Sequence, residues 1–359
     1  MSKNESDAPR GRPGIKAVAK LAGVGIASVS RVLSGQPGAS PQLTQRVLEA
    51  ARELGYTPNA LAQSLRRRTT RSIGFVGSDI TNPLIAAIVS GAESTLSHAG
   101  YSVLLTNSGG VPGMDARRIE VLLQRQVDGL IVVPTFEDEP DTLATLRNTR
   151  TPVVLVDRTL PDDVGAHYVL SDHYRGVSDA MRQLLAAGHE RIGLVVGRDV
   201  RPTRERIRAA QDAYAAANLA PDLLIHRGTL SSDHGEEALE SMLSDAKPPT
   251  AVLLGGNQLL EGTLRVVRRR SLLLGRDLSL VCCDDVPLSR LHQPPIATVT
   301  RDSTLLGKRA AELLLAQIGS PGPSEPVYLP TWFEARASFS PRKTGAANGR
   351  HESASQRAD

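Results

Sequence analysis

Cys282, Cys283, Asp284 and Asp285 stand in consecutive positions at the end of the apolar run LSLVCCDD. Two thiols beside two carboxylates could hold a metal, exchange disulfides or work as a general acid and base. Spacing argues against each. Adjacent cysteines match neither a metal-ligand pattern nor a disulfide framework, so the plain reading is of reduced thiols buried in a strand. Adjacent carboxylates at a strand end point to different sides and do not readily share a substrate. The eight histidines show no metal-ligand spacing, and His189, just after Gly188 at a helix end, is explained by capping. No nucleophile elbow, zinc-protease helix, P-loop or dinucleotide fingerprint is present. The expectation is a protein that is not an enzyme, with no catalytic residue, no metal and no cofactor.

A different chemistry is legible in GVGIASVSRVL (residues 23–33) and in the run Arg66-Arg67-Arg68. A guanidinium is a planar fork that addresses O6 and N7 of guanine in a DNA major groove, and small residues around it let a helix approach the base edges. Charge supports this. Residues 1–71 hold twelve Lys and Arg against four acids, a net +8, whereas the rest of the chain is net −4. A basic N-terminal fifth on a mildly acidic body suits a polyanion-binding head.

Three short helices are needed to present Arg31. In IKAVAKLA the residues Ile15, Val18, Ala19 and Ala22 recur at helical spacing, and Gly23 frees the backbone for a tight turn. Ala27 to Leu33 forms a second helix with Val29, Val32 and Leu33 inward and Ser28, Ser30 and Arg31 outward. The third starts at Ser40 as N-cap, with Pro41 in its first position, and stops before Gly55. Helix, glycine turn, helix is the layout in which the second helix enters the major groove. The plain alternative is a small three-helix bundle with a solvated polar face. Downstream, Asn59 can cap a turn or two through Leu65. That segment is either a solvated hinge or a minor-groove element with Leu65 wedged between base steps.

From Arg71 onward, apolar runs alternate with amphipathic helical stretches. Strands are expected over 72–78, 101–107, 128–134, 152–157, 167–171, 191–197, 223–228, 250–256 and 278–284. Near-continuous apolar strands separated by helices make parallel sheets covered on both faces. These strands exceed what one sheet needs, so two α/β lobes are expected, with a ligand cleft at the strand carboxyl ends between them. No apolar run approaches the roughly 20 residues of a membrane helix. The first 13 residues, MSKNESDAPRGRP, lack the apolar stretch of an export signal. A cytoplasmic protein with no membrane partner is expected, and residues 1–13 and 341–359 read as disordered tails.

Head, hinge and α/β body in this order resemble the lactose-repressor/galactose-repressor (LacI/GalR) family of bacterial transcriptional regulators. The likeness runs from about residue 14 to residue 340. It is carried by IKAVAKLAGVGIASVSRVLSG, by PNALAQSL, and by the ordered phrases DITNPL, VDGLIVVP, VVLVDR, AAGHERIGLV, CDDVPLSR and PPIATVTRD. The resemblance implies an all-α helix-turn-helix head (14–57), a hinge helix and linker (58–71), and an α/β two-lobed, periplasmic-binding-protein-like effector domain (72–340) with two parallel doubly wound sheets. The N-lobe would comprise about 72–170 and 301–329 and the C-lobe about 171–300 and 330–340, with crossings near residues 170, 300 and 330. It further implies a repressor that binds a near-palindromic double-stranded DNA operator as a homodimer and answers to a small, sugar-like effector in the cleft.

On DNA, the resemblance assigns Ile26, Ala27 and Arg31 to base reading and Leu65 to the central step, with Lys16, Ser28, Ser30, Asn59, Ala62 and Arg66 on the same interface. In the cleft it makes Arg206, in RERIRAA, the grip on a ligand hydroxyl or carboxylate, with Asp284 as its partner. Asp157 and Asn257 fall at strand ends facing the ligand, Asp79 joins them, and Leu84 and Ile85 stand where other members place aromatics. The chain also departs from the family. Ala17 and Gly25 replace a usual Asp and Ser in the head, and Ala209-Ala210, Gln258 and Cys282-Cys283 replace a common Gly-Phe, Asp and Gly-aromatic in the cleft. With one Trp, six Tyr and four Phe in the whole chain, a stacked sugar ring is poorly served, which suits a small polar ligand. Two other readings stay open at this point: a DNA-binding regulator that answers to a protein or to cysteine redox, and a soluble binding protein or enzyme with an incidental basic head.

Overall fold

The computed structural model describes residues 13–33, 38–56 and 69–342, and the chain divides into two compact units, Met1–Arg71 and Ser72–Asp359. The first holds α1 (Ile15–Ala22), α2 (Ile26–Leu33) and α3 (Pro41–Glu53). Gly23 ends α1 at φ 63°, a left-handed value that glycine adopts without a Cβ clash. Val24 N–H then donates to the Ala19 carbonyl at 3.0 Å, closing the turn. Helix α2 begins at Ile26, one residue earlier than expected, because the Gly25 carbonyl already accepts from Ser28 and Val29 N–H at 3.0 and 3.1 Å. Ser40 Oγ caps α3 by accepting from Leu43 N–H at 3.3 Å. Val18, Ala19 and Ala22 of α1, Val29 and Val32 of α2, and Val47, Ala50 and Ala51 of α3 form one small core.

The second unit contains two six-stranded sheets. In the first, β1 (Ser72–Gly77), β2 (Ser102–Asn107), β3 (Gly129–Val132), β4 (Val153–Val156), β5 (His167–Ser171) and β11 (Val327–Leu329) lie in the order β11-β5-β4-β3-β1-β2. In the second, β6 (Arg191–Val196), β7 (Asp222–Arg227), β8 (Ala251–Leu254), β9 (Ser279–Cys283), β10 (Ala297–Thr300) and β12 (Trp332–Glu334) lie in the order β12-β10-β9-β8-β6-β7. Every pairing is parallel except that of β12, which runs antiparallel to β10. Each apolar run read as a strand forms one, mostly trimmed by a residue or two, whereas β10, β11 and β12 were not foreseen. β11 and β12 are only three residues long, and in β10 Thr298 and Thr300 interrupt the apolar run, so none of them offers a continuous apolar stretch to read.

Helices α4 (Pro83–His98), α5 (Met114–Gln124), α6 (Pro140–Asn148), α7 (His173–Ala186), α8 (Arg201–Ala216), α9 (Ser232–Leu243), α10 (Leu260–Arg269), α11 (Pro287–Leu291) and α12 (Ser303–Gly319) intervene between the strands. The first sheet is apolar on both faces because both are covered. Ile73, Phe75, Ile131 and Val154 pack on α4 and α12, while Val76, Leu130, Val132 and Leu155 pack on α5 and α6. Helices α4 and α12 cross so closely that a Cβ on Gly91 or Gly307 would collide with the Thr304 or Ile88 carbonyl oxygen. The chain leaves the first sheet after Ser171, returns to it after Thr300, and passes between sheets again from β11 to β12.

Candidate nucleic-acid face and ligand cleft

On α2, Ile26, Ala27 and Arg31 are exposed and Ser28 and Ser30 half-buried, opposite the buried Val29 and Val32. Ala27 and Arg31 stand four residues apart and therefore share a face. Lys16 is exposed in the first turn of α1. Asn59, Ala62, Leu65 and Arg66 lie outside the described residues, as do the segment around them and most of both tails.

In the second unit, the carboxyl ends of β1, β4, β6, β8 and β9 surround a cavity of about 310 Å³. All seven residues singled out for ligand binding line it: Asp79, Leu84, Ile85, Asp157, Arg206, Asn257 and Asp284. Ile88, Val133, Val156 and Leu230 add aliphatic wall, and no aromatic residue is among the lining.

Asp157 and Asp284 occupy equivalent places in the two sheets. Each follows a central strand, has a left-handed φ (55° and 71°), and donates its N–H to the next strand, at Val169 and Val299. Aspartate tolerates this region better than most residues, and such strain gathers at functional sites. One side chain bridges both. Arg301, just past β10, donates through Nε to Asp284 Oδ1 at 2.9 Å and through Nη1 to Ser171 Oγ at 3.0 Å, and it pairs with Asp157 Oδ2. Asp157 Oδ1 also accepts from Ser171 N–H at 2.7 Å. Burial pushes the Asp157 carboxyl up, but Arg301, His173 and the Ser171 bond outweigh it and hold the group well below the usual carboxylate range.

Arg206 and Asp284 both line the cavity, but they do not form the ion pair expected of them, because Arg301 occupies the Asp284 carboxylate. The Arg206 guanidinium instead places Nη2 3.3 Å from His173 Nδ1. Burial, then Arg206, push the His173 pKa down to about 3, so its ring is neutral and Nδ1 can accept. Asp285 turns away to Arg336, at 2.8 Å, and to Ser289. Cys282 and Cys283 are buried in β9, and burial raises both thiol pKa values, so they are poor nucleophiles. His189 is held structurally by Thr250 Oγ1 and the Ser340 carbonyl, each at 2.9 Å.

Besides Arg301, the side chains of Asn257, Gln258 and Glu137 tie the lobes together around the cavity. Asn257 Nδ2 donates to Asn82 Oδ1 at 2.9 Å, and Gln258 Nε2 donates to Asp79 Oδ2 at 3.2 Å. Glu137, in the loop after β3, accepts from Thr159 N–H at 3.0 Å, from Arg201 N–H at the start of α8 at 3.0 Å, and from Arg204 Nη2 at 2.6 Å. Sequence reasoning gave no role to Arg301, His173 or Glu137. The only signal for Arg301 was a lone basic residue directly after an apolar run, and Glu137 lies in an acidic stretch indistinguishable from a solvated loop.

Among the described residues, no helix is long and apolar enough to cross a membrane, and no cluster of His, Cys, Asp or Glu is arranged to hold a metal. Residues 14–59 match the bacterial regulatory proteins of the lacI family, and residues 181–339 match the periplasmic binding protein-like domain. The ribose operon repressor of Escherichia coli (strain K12) is 31% identical over 309 residues, covering 86% of this chain and 93% of the repressor. The HTH-type transcriptional repressor PurR of Aliivibrio salmonicida (strain LFI1238) is 31% identical over 307 residues, covering 85% of this chain and 92% of its own. Among solved structures, the lac repressor dimer bound to operator and the anti-inducer ONPF matches with a TM-score of 0.82 at 26% identity, covering 91% of this chain and 99% of that one. These relatives are transcriptional repressors, regulators rather than enzymes. By its head, its two-sheet body and its kinship to these repressors along most of their length, the chain belongs to the lacI family of bacterial regulatory proteins.

Proposed function

We propose that the chain is a ligand-responsive transcriptional repressor that binds a palindromic operator as a homodimer and takes a small effector in the cleft. The observation that carries this is one continuous likeness, covering 91% of the chain, to a dimer described as bound to both operator and a small anti-inducer. In this reading α2 enters the major groove with Ile26, Ala27 and Arg31 at the base edges, and Lys16, Ser28 and Ser30 position it. Asn59, Ala62, Leu65 and Arg66 are assigned to the minor groove on the family resemblance. Functional boundaries at 14–57, 58–71 and 72–340 go with these roles. No catalytic step is assigned, and the proposed place of action is the cytoplasm, beside the DNA.

The cleft regulates by population shift. Asn257 with Asn82, Gln258 with Asp79, and Glu137 with Arg204 hold the lobes together, so a ligand that binds one lobe arrangement better than another biases the equilibrium by its difference in affinity. The test is selection of bound fragments from genomic DNA by the full-length protein. A palindromic consensus is expected; enrichment of no sequence above background, with and without cell-extract metabolites, would overturn the reading.

A further inference from the structure

The charges on the cavity wall do not balance once their pairings are followed. Four guanidinium groups, of Arg158, Arg198, Arg206 and Arg301, face three carboxylates, of Asp79, Asp157 and Asp284. Arg301 alone engages both Asp157 and Asp284. Asp79 is held by Thr81 and Gln258. Arg206 is therefore left without a counter-ion: it is 5% exposed, it forms no ion pair among the described residues, and its Nε is buried without a hydrogen-bond partner. Its neighbour His173 supplies no negative charge. Arg158 lines the same cavity with Nη1 spent on the Asp157 carbonyl at 2.9 Å and Nε buried and unpartnered, although Asp157 and Glu137 set opposing charge near it. Burial pushes the Arg158 pKa down, Asp157 and then Glu137 pull it up, and Arg206 pushes it down again, so the two guanidiniums repel one another.

A buried cation with no anion is costly, and a protein keeps one where something else supplies the charge. The walls offer no aromatic ring to stack a sugar face, so charge is left as the strongest source of discrimination. We propose that the cleft takes an acidic ligand, a sugar-sized molecule bearing a carboxylate or phosphate that is gripped by Arg206 with Arg158. Arg301 makes this possible by neutralising the two aspartates that would otherwise repel such a ligand. The inference rests on reading the cleft as the effector site.

The test is thermal unfolding of the full-length protein at constant ionic strength, with inorganic phosphate as the first probe, on wild type, Arg206→Gln and Arg206→Lys. Phosphate is expected to stabilise wild type saturably, with half-saturation about ten- to hundredfold weaker in Arg206→Gln and partly rescued in Arg206→Lys. Without phosphate, Arg206→Gln is expected to melt no lower than wild type, because it removes an unpaired buried charge; this separates lost binding from lost folding. Glucose, gluconate and glucose 6-phosphate then distinguish the sources: a gluconate response marks a carboxylate ligand and a response to the phosphate ester alone marks a phosphate. Equal phosphate responses in wild type and Arg206→Gln overturn the proposal. Saturable stabilisation by glucose without any by the three anions overturns it too, yet leaves the effector reading standing. An anion that binds through Arg206 without changing affinity for the selected operator supports the anion site and defeats the effector reading instead.

Discussion

Replacing Arg301 by glutamine strands two carboxylates in the interior. The side chains of Arg301 and Asp157 are each 6% exposed and that of Asp284 is 9% exposed, so water cannot take over from the lost cation. Removing one partner of a buried ion pair costs about 3–5 kcal/mol. Because one guanidinium serves two acids here, the upper half of that range is expected, a fall in the melting temperature of the second unit on the order of 10 °C. The pH dependence carries the mechanism. In wild type the Asp157 carboxyl is held below its unfolded value, so its stabilisation is fully present above the unfolded pKa, about 3.9, and is lost only as pH falls further, through the folded pKa. In the variant, burial without Arg301 raises the Asp157 carboxyl above its unfolded value. The folded variant then binds more protons than its unfolded chain, and it regains stability relative to wild type as pH falls from 8 towards 5. Urea unfolding of the full-length proteins, followed by circular dichroism across that range, reads both effects. A loss below about 1 kcal/mol at pH 8, or a gap that does not narrow on acidification, would refute the claim that Arg301 is the buried counter-ion of both aspartates.

Arg31→Ala is expected to cost about 1–3 kcal/mol on the selected operator and to relax preference at one symmetric base pair; an equal loss on unrelated DNA would make Arg31 a phosphate contact. Operator affinity should fall roughly three to five orders of magnitude between about 50 and 200 mM salt if 6 to 10 phosphates are neutralised, and a flat titration is incompatible with the charge reading of the head. Gly307→Ala drives a methyl into the Ile88 carbonyl oxygen and should destabilise the second unit by about 1–3 kcal/mol; an unchanged urea midpoint would mean the α4 and α12 crossing yields freely. His173 is held neutral by burial and then by Arg206, with a pKa near 3, so wild-type stability should drop by up to about 1.4 kcal/mol per pH unit below about pH 6.5, where the unfolded histidine takes a proton and the folded one does not. His173→Gln should make that acid limb shallower, and an identical limb would show that His173 does not contribute to it.

The features legible in the chain alone are those whose causes lie within a few residues. Helix α3 is set by Ser40, Pro41 and its apolar spacing, the turn after α1 by Gly23, and strands β1 to β9 by near-continuous apolar runs that only a doubly covered sheet can bury. The place of the cleft was legible too, since doubly wound sheets leave their ligand sites at strand carboxyl ends, whereas Asp157, Asn257 and Asp284 were assigned to it by the family resemblance. The rest depends on contacts between distant segments. Strands β11 and β12 exist because β5 and β10 leave sheet edges that three-residue segments can complete, a cause absent from those segments themselves. Such contacts also decide which charges meet. Asp157 and Asp284 come from different sheets and share Arg301 only because the crossing after β10 delivers a guanidinium between them, and that sharing is what leaves Arg206 unpaired. Ion pairing depends on distance and burial, and local sequence pattern encodes neither across lobes.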